Sequence, residues 1–149
     1  MTALKRVTFS IPGEPVGKGR PRFNRATGRT YTPERTASYE NLVKLEYEKL
    51  CGNQGFGESP VGILVTAYYA VPKSASKAKR KAMERDVIRP TKKPDCDNIL
   101  KTICDALNGL AYKDDSQVVL ALIDKHYAEV PHVDVTLNAM ESEGESNDD

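Results

Sequence analysis

The fold of this 149-residue chain is predicted best from residues 92–118, KKPDCDNILKTICDALNGLAYKDDSQV. Pro94 biases the residue before it towards an extended conformation, so we expect the segment to begin extended. From Asn98 to Leu107 apolar residues recur at helical spacing, which predicts an amphipathic helix. Asn108-Gly109 ends this helix, and an alternating stretch typical of a strand follows. The apolar stripe consists of Ile99, Leu100, Ile103, Cys104 and Leu107.

Four strands are predicted around this helix. Lys5–Ile11 alternates and is rich in β-branched residues, and Val61–Val71 is the most apolar run of the chain. Gln117–His126 and His132–Ala139 also alternate, and the short turn Glu129–Pro131 joins them. A short turn favours a hairpin, so we expect these last two strands to pair antiparallel.

Two further helices are predicted. Thr32-Pro33 is typical of a helix start, with Thr32 as N-cap, and that helix should run to about Leu50 with Leu42 and Leu45 facing inward beside Leu50. The stretch SASKAKRKAMERD predicts a short, strongly basic helix. The fold class is therefore α/β (α+β), with a mixed β-sheet and helices packed on it. We expect a single small domain over residues 1–140 and a disordered acidic tail over residues 141–149.

The net charge of +1 conceals a strong asymmetry. Met1–Lys93 contains 19 basic and 8 acidic residues, whereas Pro94–Met140 contains 3 basic and 8 acidic ones. Such a distribution is typical of a protein that binds polyanions and also holds a cation.

Several classes are excluded or made unfavourable by composition. No stretch reaches the ~20 apolar residues of a membrane span, and the first residues lack the pattern of a secretion leader. The three cysteines form no C-x-x-C pair, and with only two histidines they do not match a zinc site. We therefore expect a reduced, cytoplasmic protein, with His126 and His132 in structural roles.

Acidic residues cluster at two points of the opening segment. Asp95 and Asp97 lie two apart in the stretch that we expect to be extended, where both carboxylates can face one point. Asp114-Asp115 stands directly before a predicted strand, and if that strand pairs near the helix start, Asp115 or Asp114 completes a three-carboxylate cup. Two carboxylates ~5 Å apart repel by roughly 3 kcal/mol at an effective dielectric of ~20, so the cup predicts a bound Mg²⁺ or Mn²⁺.

A cation held in this way can activate water and stabilise charge on a phosphoryl group under attack. Lys101, one turn inside the helix, is then a candidate to contact the scissile phosphate or to orient the water. The alternative is that Asp97 or Asn98 only caps the helix. A single D-x-D motif favours a capping role. Lys101 together with the second acidic pair favours a catalytic metal site.

These motifs, P-D-C-D-N-I-L-K, then D-A-L-N-G, then D-D-S-Q-V, resemble the signature of the RusA family of Holliday junction resolvases. The resemblance is close over about residues 93–125 and general elsewhere. It implies a small homodimeric, Mg²⁺-dependent endonuclease of bacteria and their phages that cuts four-way DNA junctions. The family's catalytic residues fall on Asp95, Asp97, Asp115 and Lys101, with Asp114 beside them. Asn98 and Gln117 match supporting positions.

Two basic segments are candidates for DNA contact. The Gly/Pro-rich loop GKGRPRFNRATGR offers arginines around an aromatic ring that could stack on an unpaired base, although the ring could instead dock on the core. The second segment, Lys73–Lys93, leads into the acidic cluster, although its helical part could be an ordinary solvated surface. The predicted DNA-binding residues are Lys18, Arg20, Arg22, Phe23, Arg25, Arg29, Arg89, Lys92 and Lys93.

The sequence thus favours a Mg²⁺-dependent endonuclease that resolves branched DNA as a homodimer. One alternative is a non-catalytic nucleic-acid-binding module with a structural cation, and another is a less selective nuclease. Lys101 favours the endonuclease over the binding module, because a structural cation gains nothing from a nearby ammonium group, whereas phosphate hydrolysis does.

Overall fold

The computed structural model describes residues 3–19, 22–31 and 33–141 of the chain. Three α-helices, one short 3₁₀ helix and six strands occur in this part. In chain order they are β1 (Arg6–Pro12), β2 (Arg22–Asn24), β3 (Arg29–Tyr31), α1 (Glu34–Cys51), β4 (Val61–Ala70), α2 (Lys77–Glu84), α3 (Cys96–Leu107), the 3₁₀ helix (Asp115–Gln117), β5 (Val118–Ala128) and β6 (His132–Ala139).

A mixed four-stranded sheet in the order β1-β6-β4-β5 forms the centre of the molecule. β4 pairs in parallel with β5 on one side and antiparallel with β6 on the other. β1 completes the sheet antiparallel to β6. This mixed α+β arrangement confirms the predicted fold class.

The predicted hairpin between the last two strands is wrong. β5 and β6 are not neighbours, because β4 lies between them. The turn Glu129–Pro131 crosses the end of β4, where the N–H of Val71 donates to the carbonyl of Ala128 at 3.1 Å. β4 is the most apolar strand, and a central position buries it best, so burial outweighs the local preference of a short turn for a hairpin.

The core lies between the sheet and helices α1 and α3. Alternate residues of β4, from Val61 to Tyr69, face this core and are buried. From α3 the buried residues are Ile99, Ile103 and Leu107 among others, which confirms the predicted stripe, with its remaining two members half-buried at the rim.

The face that α1 buries differs from the predicted one. Tyr39, Val43 and Tyr47, spaced by four residues, point into the core. Leu45 is 52% exposed and Leu50 is 59% exposed, so their predicted inward orientation is wrong. The two tyrosines carry more apolar area than the leucines, and helical spacing places the leucines on another face. Leu42 is half-buried against the core. Thr32, the predicted N-cap, lies outside the described residues.

Two further predictions concern the periphery. The second basic segment forms α2 as expected, and the Oγ of Ser76 accepts from the N–H of Lys79 at its start. The acidic tail beyond Glu141 lies outside the described residues, so its disorder and the domain limits stay predictions. No helix in the described part of the chain is both long and apolar enough to cross a bilayer.

The orientation of the helices can be tested by truncating one inward and one outward residue. Ile103→Ala should lower the free energy of unfolding by about 2–5 kcal/mol, because it opens a cavity at a fully buried position. Leu45→Ala should lower it by only about 0.5 kcal/mol. Urea denaturation measures both values, and equal losses would contradict the observed packing of α1.

Candidate active site at the start of helix α3

The central strand holds the approach to α3 in place. The hydroxyl of Tyr69, a buried residue of β4, donates to the carbonyl oxygen of Pro94 at 2.6 Å. On the other side, the loop after β1 comes so close that a Cβ on Gly17 would lie 2.8 Å from Cβ of Pro94. The N–H of Lys18 donates to the carbonyl oxygen of Asn98 at 3.3 Å. Pro94, two residues before the start of α3, is therefore held from two directions.

The helix begins earlier than predicted, at Cys96. Asp95 is extended (φ −78°, ψ 166°) and occupies the N-cap position, whereas Asp97 lies in the first helical turn. The prediction that both carboxylates share one extended stretch is therefore wrong. The favourable dipole interaction of an acid with a helix N-terminus explains why Asp97 is tolerated inside the helix.

Neither acid is used to cap the helix. The side chain of Asp95 makes no capping hydrogen bond although its position favours one. In the described part of the chain, Asp95 and Asp97 make no side-chain hydrogen bond and no ion pair, and both are exposed. The same holds for Asn98. The capping alternative is thus not what the structure shows, and the two carboxylates remain free for a ligand.

The second acidic pair divides into one structural and one free residue. Asp114 caps the 3₁₀ helix: its carboxylate accepts from the N–H of Ser116 at 3.1 Å and from the hydroxyl of Ser116, while its own N–H donates to the side chain of Gln117. These hydrogen bonds from Ser116 lower the pKa of Asp114. Asp115 makes no side-chain contact of this kind within the described ranges and is half-buried.

Asp115 lies beside the C-terminal half of α3. Burial chiefly, and then the charges of Asp115 and Asp105, raise the pKa of the Cys104 thiol to about 11. Lys101 is exposed on the helical turn between Asp97 and Cys104, and it makes no ion pair within residues 3–19, 22–31 and 33–141. Lys101 is therefore free to contact a bound anion.

Lys18, by contrast, already has protein partners. Its ammonium group lies 2.7 Å from a carboxylate oxygen of Glu40 and 3.1 Å from one of Asp105. Burial opposes its charge, but these two hydrogen-bonded carboxylates outweigh that effect and raise the pKa of Lys18. Lys18 thus ties α1 to α3, which makes it a weaker candidate for phosphate contact than an unpaired lysine.

The free carboxylates have the chemistry that a hard divalent cation requires, since Mg²⁺ and Mn²⁺ prefer oxygen ligands and keep several waters. They are nevertheless not gathered in one place: the described residues contain no group of three or more acidic, His or Cys side chains positioned to hold one ion. Asp95 lines a cleft of about 740 Å³. The basic residues of this cleft are Lys18, Arg22, Arg35, Lys92 and Lys93.

The arginine-rich loop forms a small hairpin that sequence analysis did not predict. β2 and β3 pair with Phe23 opposite Thr30. The turn between the strands contains Arg25, and the side chain of Asn24 accepts two backbone N–H groups there. Because residues alternate between faces, Phe23 lies on one face, and Arg22 and Arg29 lie on the other.

Phe23 is 62% exposed, so it does not dock on the core as the alternative reading required. Arg22, Arg25 and Arg29 are exposed as well. Arg20 lies outside the described residues. The hairpin therefore presents an aromatic ring and three guanidinium groups to solvent.

The last predicted basic residues, of which Lys92 and Lys93 line the cleft, surround a lysine that sequence analysis missed. The Nζ of Lys125 donates to the carbonyl oxygen of Lys92 at 2.6 Å and lies 5.1 Å from the centre of the Tyr69 ring. The Nζ of Lys92 lies 5.6 Å from the same ring. Arg89 donates from Nε to the carbonyl oxygen of Lys125 at 2.7 Å. Lys93 is exposed and lines the cleft beside them.

No sequence signal indicated Lys125, because its position depends on the parallel pairing of β4 with β5. The same pairing brings His126 beside the segment that follows α2. Its Nδ1 lies 2.9 Å from Asp86 and its Nε2 2.8 Å from Asp124. Burial lowers the pKa of His126, but the hydrogen bonds to the two carboxylates outweigh it and raise the pKa overall. The structural role expected for this histidine agrees with these contacts.

The His126 contact should make stability depend on pH. A group whose pKa is raised by folding stabilises the native state fully below its unfolded pKa of about 6.5, and this contribution is lost as pH rises through the folded value. The hydrogen bond from His126 lowers the pKa of Asp86, so that partner stays ionised at neutral pH. The difference in unfolding free energy between wild type and His126→Gln, from urea denaturation, should therefore be larger at pH 5.5 than at pH 8.5, by up to about 1 kcal/mol. An unchanged difference would contradict the charged contact.

Comparison with known proteins gives two matches. The family model described as endodeoxyribonuclease RusA matches residues 12–138. The chain is also 40% identical over 137 residues to the uncharacterized protein YqaN of Bacillus subtilis (strain 168), and the match covers 88% of this chain and 94% of that protein. Residues 12–138, which the family model matches, include the hairpin, all three α-helices and both acidic pairs.

Proposed function

The chain belongs to the RusA family of endodeoxyribonucleases, and from that premise we propose that it is a Mg²⁺-dependent endonuclease that resolves four-way DNA junctions during recombination and repair. One observation carries the proposal. The carboxylates of Asp95, Asp97 and Asp115 have no protein partner in the described part of the chain, whereas the nearby Asp105, Asp114 and Asp124 are all paired.

We propose that Asp95, Asp97 and Asp115 hold the cation, which Mn²⁺ can replace, and that DNA phosphate oxygens and water complete its coordination. When bound, the cation supplies an activated water and stabilises the charge that develops on the phosphoryl group. Asp114 assists by fixing the 3₁₀ helix that carries Asp115, since its own carboxylate already accepts two hydrogen bonds from Ser116.

Lys101 acts on the substrate rather than on the fold. Its exposed ammonium group has no ion-pair partner in the described ranges and lies one helical turn from Asp97. From there it would hold the scissile phosphate or orient the attacking water. Hydrolysis would leave 5′-phosphate and 3′-hydroxyl ends.

The DNA backbone would lie along the hairpin and the mouth of the cleft. Arg22, Arg25 and Arg29 are exposed and would neutralise phosphates, with Arg20 next to them in sequence. Phe23, on the opposite face of the hairpin, is available to stack on an unpaired base at the junction centre.

Lys92 and Lys93 would extend the phosphate contacts to the edge of the acidic site. Lys125 would join them, because it lies against the backbone of Lys92. We place Lys18 and Arg89 in supporting roles, since protein groups already engage both side chains.

A homodimer suits the proposed substrate. A four-way junction has approximate two-fold symmetry, so two copies related by a two-fold axis would present two sites for paired nicks. Such an enzyme would work in the cytoplasm of a bacterium, on its own DNA or on that of a phage.

Cleavage of a synthetic four-way junction beside a linear duplex of the same sequence tests this function. We expect symmetric nicks in the junction only, present with Mg²⁺ and absent with EDTA. Asp97→Asn should lower the cleavage rate at least about 100-fold, because it removes a ligand charge at an exposed position where folding does not need it. Glu129→Gln changes an exposed acid in the turn between β5 and β6 that makes no ion pair within the described residues, so it is the control and should cleave normally.

Lys101→Ala separates catalysis from binding in the same assay. Cleavage should fall about 100-fold while junction affinity changes by less than about threefold, since one exposed lysine adds little to a surface with many cations. Cleavage of duplex and junction alike would show a less selective nuclease. Tight junction binding with no cleavage in Mg²⁺ or Mn²⁺ would contradict the enzyme and favour a binding module.

A further inference from the structure

Helix α2 carries a row of cations that the proposed active site does not use. Lys77, Lys81 and Arg85 are spaced by four residues, so they follow one side of the helix over about 12 Å. All three are exposed, and they make no ion pair within residues 3–19, 22–31 and 33–141. None of them lines the cleft that Asp95 lines. This basic row is therefore a separate surface.

The helix itself does not compensate the charge of the basic row. Lysines four residues apart on a helix repel each other, and the first turn of α2 contains no acid although a helix N-terminus favours one. Glu84, the acid of this helix, forms no ion pair within the described ranges. An anion from outside the protein would remove this repulsion.

Local contacts hold α2 in a fixed position on the sheet. The Oγ of Ser76 accepts a backbone N–H at the start of the helix. The guanidinium group of Arg80 donates to a backbone carbonyl oxygen of the preceding segment at 3.4 Å. Just after the helix, Asp86 lies 2.9 Å from Nδ1 of His126 in β5. A cationic surface that is fixed before binding loses less entropy when it binds a rigid polyanion.

The basic row continues towards the cleft. The chain after Arg85 brings Arg89 against β5, where its Nε donates to the carbonyl oxygen of Lys125 at 2.7 Å. The Nζ of Lys125 in turn donates to the carbonyl oxygen of Lys92, which lines the cleft. A DNA duplex carries one negative charge per about 1.7 Å of its axis and is stiff, so it can contact such an extended surface along its length.

From these observations we infer that α2 binds the phosphate backbone of a duplex arm of DNA, outside the cleft. The inference rests on the DNA substrate of the proposed function and adds a second contact surface to it. The hairpin and the cleft would contact the branch point. Lys77, Lys81 and Arg85 would contact paired DNA without regard to base sequence or branching, because phosphate contacts carry no sequence information.

Binding of the full chain to a linear duplex and to a four-way junction tests the inference. Fluorescence anisotropy in EDTA gives both dissociation constants over a range of salt concentrations without cleavage. The double variant Lys77→Gln/Lys81→Gln removes two charges with little change in helix propensity. Its dissociation constants for both DNAs should rise about tenfold at about 50 mM salt, and the ratio between them should stay that of the wild type.

The salt dependence identifies the lost contacts as phosphate contacts. The slope of the logarithm of the dissociation constant against the logarithm of salt concentration should fall by about 1.8, since each phosphate contact contributes about 0.9. Lys44→Gln/Lys49→Gln removes the same charge from exposed positions of α1 and should bind both DNAs within about twofold of the wild type. Circular dichroism identifies a variant that has failed to fold, and Arg85→Gln, beyond the last helical turn, should still lower the slope by about 0.9.

Unchanged DNA binding by the double variant would overturn the inference and leave the basic row to solvent or to an acidic protein. A loss confined to the junction would also overturn it, because α2 would then act at the branch point. Neither result requires a change in cleavage. A wild type that binds duplex through α2 but cleaves no junction would leave this inference standing and contradict the nuclease proposal, so the two proposals fail separately.

Discussion

The pairing of β4 on both of its edges is the constraint on which the rest of this structure depends. As the most apolar strand, β4 gains the most from a central position, where β5 and β6 cover its two sides. This position allows the hydroxyl of Tyr69 to donate to the carbonyl oxygen of Pro94, and so it holds the segment that leads into α3. It also brings Lys125 against the backbone of Lys92, a residue that lines the cleft. A different strand order would separate the acidic site from its basic surroundings.

Electrostatics gives this arrangement its functional character. Carboxylates close to one another repel unless a cation or a hydrogen-bond donor compensates them. Asp105 is compensated by Lys18, Asp114 by Ser116 and Asp124 by His126. The acids of the D-x-D motif and Asp115 have no such compensation in the described residues. The protein's own hydrogen-bond donors and cations thus pair with the structural acids. The acids that a metal ion would use have no such partner in the described residues.

The sequence was sufficient for features that depend on local spacing. The period of α3 predicted its buried stripe. The D-x-D motif and the later acidic pair identified candidate carboxylates, whose functional role stays a prediction. Local spacing could not identify the neighbours of β5, because a short turn favours a hairpin and only burial of the whole sheet places β4 between the two strands. For the same reason Lys125 could not be found. The inward orientation of Leu45 and Leu50 in α1 was predicted wrongly, because hydrophobicity alone does not show which of two apolar faces packs against the core.

The start of α3 shows a subtler limit. The sequence identified Asp95 and Asp97 as a pair, but it could not show that the helix begins between them, since a shift of two residues lies within the uncertainty of any helix boundary. That shift changes the direction of Asp97 relative to Asp95, because Asp97 lies in the first helical turn whereas Asp95 is extended.

Binding of Mn²⁺, followed by the loss of the free-ion signal in electron paramagnetic resonance, tests the central claim most directly, because it requires neither DNA nor cleavage. The wild type should bind the ion, Asp95→Asn and Asp97→Asn should each weaken binding at least about tenfold, and Glu129→Gln should bind as the wild type does. Equal binding by the wild type and Asp97→Asn, or no binding by the wild type, would contradict the assignment of these carboxylates as a metal site.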